Sequence, residues 1–163
     1  MESVSSFKCL GRIISADDSD VPAVVSNIQK ARGRWAMVTR ILTREGASPK
    51  VSAMFYKAVV QSILLFGCET WVESKAIMRS LEGFHHYVAR KLSGRQIRKR
   101  AEGDGWIYPA IGPALEVTGL APIATYYSRR REYLLTWVRN RPDCEHYETI
   151  IGGGAGGSQR KYW

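Results

Sequence analysis

Basic side chains recur along one predicted helix at the spacing of a single helix face. The cations of this face are Lys30, Arg34, Arg40 and Arg44. At ~100° per residue they fall within about 120° of arc, opposite the apolar positions and with Met37 and Ile41 among them. Cations at this spacing can pair with phosphates while apolar side chains rest on sugars. A solvated helix face that happens to be basic has the same pattern, and Arg32, on the apolar side, fits neither interpretation.

Two further basic clusters lie downstream. The first holds six cations in eleven residues: Arg90, Lys91, Arg95, Arg98, Lys99 and Arg100. Such runs serve as nucleic-acid contacts or remain solvated loops. The second is Arg129 to Arg131, in which Arg130 falls within an aromatic stripe and is expected to snorkel or to pair with a carboxylate such as Glu116.

Adjacent carboxylates at Asp17 and Asp18 are the pattern that binds paired divalent metals in polymerases. Such a site needs a third carboxylate and a rigid sheet, and too few residues precede Asp17 to build one. A turn followed by a helix N-cap at Asp20 accounts for the same residues. A metal-dependent nuclease that uses these aspartates is kept as an alternative.

Other catalytic or metal-binding patterns are weak. His85 and His86 are adjacent on a predicted helix and point about 100° apart, so they are not expected to chelate one metal. Cys9, Cys68 and Cys144 are far apart and are expected to be free thiols. We therefore expect no cofactor, no metal and no catalytic residue.

Composition supports a basic globular protein. The chain has 163 residues and a net charge of +9, which favours binding to polyanions such as nucleic acid. No run of 18 apolar residues exists, so no membrane span is expected. The first five residues lack the pattern of a signal peptide, and we expect an intracellular protein, nuclear or cytoplasmic.

Hydrophobic periodicity indicates the elements that must position these residues. A strand or hairpin arm is predicted over residues 7–14, and helices over about 21–44, 48–66, 74–92, 112–118 and 122–140. The second helix is apolar all round in its later half, so it is expected to be buried and central. Its main apolar face is predicted to hold Val51, Met54, Phe55, Ala58, Ser62, Leu65 and Phe66. The predicted fold is all-α: a bundle of about four long helices and one short helix, with a small β element at the N-terminus.

Three regions are predicted along the chain. Residues 1–15 form the β element, residues 16–147 form the helical domain, and residues 148–163 form a glycine-rich flexible tail.

Several segments resemble the reverse transcriptases of non-LTR retrotransposons. Residues 7–14 resemble their F-x-Y-L-G segment, with Cys9 where the family usually has Tyr. Residues 55–60 and 64–71 are similar to the stretch K-x-x-V-x-x-x-L-L-Y-G-x-E-T-W, and residues 81–85 to L-E-x-F-H. Similarity continues through residues 106–109, 114–120 and 129–131.

The resemblance implies the thumb and downstream region of an RNA-directed DNA polymerase, without fingers or palm. In the family the catalytic Y-x-D-D precedes F-x-Y-L-G, whereas Asp17 and Asp18 follow it here. Phe7, Leu10 and Gly11 then correspond to a primer grip. The implied function is non-catalytic binding of an RNA–DNA or DNA duplex with little sequence preference, by Lys30, Arg34, Arg40, Arg44, Arg95, Arg98, Lys99 and Arg100. The missing palm and fingers are a further implied partner, and an inert pseudogene-like fragment is a second alternative.

Overall fold

Helices dominate the part of the chain that the structure describes. The computed structural model describes residues 6–9, 12–15, 19–94, 99–100 and 105–141. The helices are α1 (Val21–Arg44), α2 (Pro49–Phe55, continued as π-helix over Tyr56–Gln61 and as α-helix over Ser62–Leu64), α3 (Lys75–Leu92), α4 (Gly112–Thr118) and α5 (Ile123–Arg139). Four long helices and one short helix confirm the predicted all-α class.

Two small antiparallel strand pairs accompany the helices. β1 (Ser6–Cys9) pairs with β2 (Arg12–Ser15), with Phe7 opposite Ile14, and β2 lies alongside α1. β3 (Lys99–Arg100) pairs with β4 (Trp106–Ile107). Leu10, Gly11, the Asp17–Asp18 pair and the glycine-rich tail lie outside the described residues.

The start of α1 is held by a contact that the sequence does not predict. Asp20 precedes the helix at the N-cap position, but its side chain makes no capping hydrogen bond. Its carboxylate Oδ2 instead accepts a hydrogen bond of 2.8 Å from the backbone N–H of Val72. This carboxylate therefore joins α1 to the segment that leads into α3, a role different from the predicted cap.

One face of α1 packs against α2 and α3, as its periodicity predicts. Its buried stripe is Val24, Ile28, Ala31, Trp35 and Leu42. Ser48 and Ser74, where the second and third helices are predicted to begin, are the N-caps of α2 and α3, and each accepts a hydrogen bond from the backbone N–H three residues later. Local capping and a single apolar stripe therefore suffice to place these two helix starts and α1.

The predicted buried face of α2 is wrong over its first half. Val51, Met54 and Phe55 are exposed, the last two by 63% and 50%. Ser52 and Ala53 face the interior instead, where this part of α2 contacts α3 and α4. Small side chains let helices approach closely, so hydrophobicity alone selects the wrong side. The later half is central as predicted, with Tyr56, Val60 and Leu64 fully buried.

A sharp corner between α2 and α3 docks α5. Gly67 has a φ of +74°, in the left-handed region that glycine adopts without strain. Behind it Trp71 is buried, with its ring 6.5 Å from that of Tyr127 in α5. Glu69 lies 3.6 Å from the guanidinium of Arg130. The G-x-E-T-W stretch quoted for the resemblance is therefore a packing corner in this fold.

Candidate nucleic-acid interface

The outer side of α1 carries the predicted cations. Lys30, Arg34, Arg40 and Arg44 are all exposed, on the side of the helix away from its buried stripe. Met37 and Ile41 lie among them and are themselves 58% and 57% exposed. We call these six residues the basic face of α1. Large apolar side chains in water between four cations are the combination that the phosphates and sugars of a nucleic-acid strand can cover.

At one end of this face, Arg44 pairs with the acidic residue that follows it in the sequence. Arg44 donates from Nε to Glu45 Oε1 at 2.9 Å, and both side chains are mostly exposed. A pair in this setting contributes at most about 1 kcal/mol and weakens with salt. A phosphate can therefore compete with Glu45 for the Arg44 guanidinium.

Beside this face, a groove lies between α1 and α3, which are in contact with each other. Its volume is about 620 Å³, within the range of about 300–1,000 Å³ typical of small-molecule sites. Arg32 and Arg40 line it from α1, and Tyr87 and Lys91 line it from α3. We call it the α1–α3 groove. The residue that fitted neither sequence interpretation, Arg32, thus lies at its wall.

Sequence reasoning missed the groove because its parts come from two helices. Gly83 also lines it, and a Cβ built on Gly83 would meet nothing within 4 Å. Glycine inside a helix is unfavourable relative to alanine, so Gly83 was one feature of the sequence that could have indicated the groove. Arg32, off the basic face, was the other signal.

The second basic cluster divides in the structure. Arg90 is only 8% exposed and donates from Nη2 to the carbonyl of Pro109 at 2.7 Å, which makes it a structural residue. Arg95 and Arg98 lie outside the described residues, and Lys99 and Arg100 are described only as the backbone of β3. Opposite them, β4 exposes Trp106 and leads into exposed Tyr108, two aromatic residues that sequence reasoning did not select.

The third cluster holds the corner of the fold. Arg130 donates from Nη1 to the carbonyl of Leu65 at 3.1 Å and pairs with a carboxylate, as predicted, although that carboxylate is Glu69 and not Glu116. Arg131 donates to the Tyr127 hydroxyl at 3.2 Å and lies 3.6 Å from Glu73. These two cations serve packing, whereas Arg129 is exposed.

A buried polar chain lies in the core below the groove-lining helices. His85 Nε2 contacts the Ala121 carbonyl at 3.0 Å, and its Nδ1 contacts the Tyr56 hydroxyl at 2.9 Å. Because a carbonyl only accepts, Nε2 carries the proton, and the Tyr56 hydroxyl donates to Nδ1. Burial lowers the pKa of His85 to about 4 and raises that of Tyr56. Both groups are neutral and fully engaged, which is the arrangement of a structural pair.

The described residues offer no group of three His, Cys, Asp or Glu side chains that could hold a metal ion. Burial raises the pKa of the Cys68 thiol to about 12, so this buried cysteine is a thiol at neutral pH. Within the described ranges, no helix is both long enough and apolar enough to cross a membrane.

Comparison of the chain with protein-family models, curated proteins and solved structures found no match.

Proposed function

We propose that this chain binds the phosphate backbone of a nucleic-acid duplex through the basic face of α1, without catalysis of its own. The observation that carries the proposal is the exposure of Met37 and Ile41 among Lys30, Arg34, Arg40 and Arg44. Burying these two apolar side chains against sugars would add to the attraction between the cations and phosphates.

The resemblance to the thumb of a non-LTR reverse transcriptase supports the same proposal. A thumb tracks the template–primer duplex, and polymerase chemistry would belong to the fingers and palm of a longer protein. Two segments quoted for the resemblance meet in the core, where Tyr56 and His85 share a hydrogen bond of 2.9 Å. An RNA–DNA hybrid is therefore the first duplex to test.

Binding of the chain to labelled RNA–DNA and DNA duplexes of unrelated sequence, across a salt series, tests the proposal. We expect similar affinity for all sequences. Affinity should fall by about 100- to 200-fold as salt rises from about 50 to 200 mM, because counterion release at four phosphate contacts gives a slope of log affinity against log salt of about −3.6. Absence of binding at low salt by a chain with a helical circular-dichroism spectrum would overturn the proposal.

One observation favours the alternative of a fragment without function of its own. Val51, Met54, Phe55 and Val59 form an exposed apolar face on α2. Contiguous exposed apolar surface is typical of a region that packs against a partner. In that case the partner would be the rest of a polymerase, and the salt series above would give no binding.

A further inference from the structure

We propose that the α1–α3 groove binds an unpaired nucleotide, with the base against Tyr87 and the phosphate among Arg32, Arg40 and Lys91. The inference rests on the proposed function, because a strand held on the basic face of α1 would supply the nucleotide. Arg40 belongs to both surfaces, so it would join the duplex contact to the single-strand contact.

The charge of the groove points to an anionic ligand. Arg32 and Arg40 approach from α1 and Lys91 approaches from α3, and all three side chains are exposed. None of the described residues that line the groove is acidic. A phosphate there would meet three cations with no carboxylate on the described walls to compete for them.

The aromatic lining points to a ligand with a flat apolar part. Tyr87 is half-buried, and the groove is also lined by Trp35 and Phe84, which are 3% and 4% exposed. Bases stack on aromatic side chains with little regard to sequence. A free phosphate would use the cations but not this lining, whereas a nucleotide uses both.

The position of the groove distinguishes an unpaired strand from a duplex. Bases of a duplex are stacked and paired inside it, so only an unpaired nucleotide can place its base between two adjacent helices. Gly83 leaves the α3 wall without a side chain at this point, and a Cβ built there would meet nothing within 4 Å, so the space beside it is open.

Three labelled probes test the inference: a blunt duplex, the same duplex with a short oligothymidine extension, and a short free oligothymidine. We expect the full-length chain to bind the extended duplex at least about fivefold more tightly than the blunt one, as expected for one stacked base. Gly83→Leu should bring the affinity for the extended duplex down to that for the blunt duplex. It should also weaken binding of the free oligothymidine and leave the affinity for the blunt duplex unchanged. Leucine is a better helix former than glycine, so this variant should fold.

Gly33→Leu is the matched control, because Gly33 is also a glycine inside a helix with open space around its Cβ, but it does not line the groove. It should preserve the ratio between extended and blunt duplexes. Lys91→Gln should lower the salt slope for free oligothymidine by about 0.7, and Lys75→Gln, on the same helix but away from the groove, should not.

The possible failures are distinguishable. Equal affinity of the wild-type chain for blunt and extended duplexes would overturn the groove inference and leave the proposed function standing. Failure to bind any duplex would overturn the proposed function; the groove inference would then stand if free oligothymidine binds and Gly83→Leu removes that binding, and would fall otherwise.

Discussion

At the scale of single residues, the core contains a histidine whose charged form the fold excludes. His85 is fully buried, and both ring nitrogens are engaged, one by the Ala121 carbonyl and one by the Tyr56 hydroxyl. The Tyr126 hydroxyl in turn accepts a hydrogen bond of 3.0 Å from the Ala121 N–H. Protonating Nδ1 would break the bond that Tyr56 donates and leave a cation without water. This polar chain links α2, α3 and the start of α5 only while His85 is neutral.

His85 should therefore make stability depend on pH below neutrality. Its pKa falls from an ordinary value of 6.5 to about 4 in the fold, mainly through burial. Between these values the unfolded chain binds the proton and the folded chain does not, so this contribution is present above pH 6.5 and is lost as pH falls toward 4. We expect a loss of about 2 kcal/mol from His85 between pH 7 and pH 5, measured by urea unfolding.

His85→Gln should remove most of that pH dependence, since glutamine stays neutral. Its neighbour His86 is the matched control. Burial also lowers the pKa of His86, followed by the effect of Arg90, but this ring is only half-buried, so His86→Gln should keep most of the slope. An unchanged slope in His85→Gln would contradict the assignment of the effect to His85.

At the scale of elements, the sequence predicts the buried face of a helix well where only one stripe is apolar. It predicts the buried face poorly where two sides of the helix are apolar. The α1 and α3 stripes follow from periodicity because charged side chains dominate their opposite faces, and Ile77, Leu81, Phe84 and Val88 of α3 are buried. In α2 both sides are apolar, and contact with α3 and α4 selects the small residues Ser52 and Ala53. No local signal distinguishes those two sides, because tertiary packing makes the choice.

The corner that docks α5 should be the most sensitive short segment of the fold. Trp71 is 1% exposed and its ring packs near that of Tyr127. Trp71→Ala should lower the free energy of unfolding by about 3–5 kcal/mol through lost burial and the cavity left behind. Trp106→Ala is the matched control, since Trp106 is 54% exposed and its removal should cost much less. Equal urea midpoints for the two variants would contradict this role of the corner.

At the scale of the whole molecule, the chain has a net charge of +9, and its basic residues fall into structural and exposed groups. Arg90, Arg130 and Arg131 hold backbone carbonyls, a hydroxyl and carboxylates within the fold. The basic face of α1 and the α1–α3 groove expose their cations instead. The sequence predicts the net charge and the basic face of α1. It does not show which of the remaining arginines are structural and which are exposed, because carbonyls such as those of Pro109 and Leu65 reach them only after folding.

Placement of charge, beyond its total, should therefore govern binding. Replacing Lys30, Arg34, Arg40 and Arg44 by Ala removes four cations from the basic face of α1 and should lower the slope of log affinity against log salt by about 3–4 for a DNA duplex. Replacing the exposed Lys50, Arg79, Arg129 and Arg139 by Ala removes one Lys and three Arg as well, from α2, α3 and α5. Both variants lose the same net charge, so the long-range attraction to the duplex should fall equally in the two. Only the α1 variant should also lose direct contacts with phosphates. We expect a duplex titration to show the large change in slope for the α1 variant alone; equal slopes in the two variants would mean that total charge, not the α1 face, holds the nucleic acid.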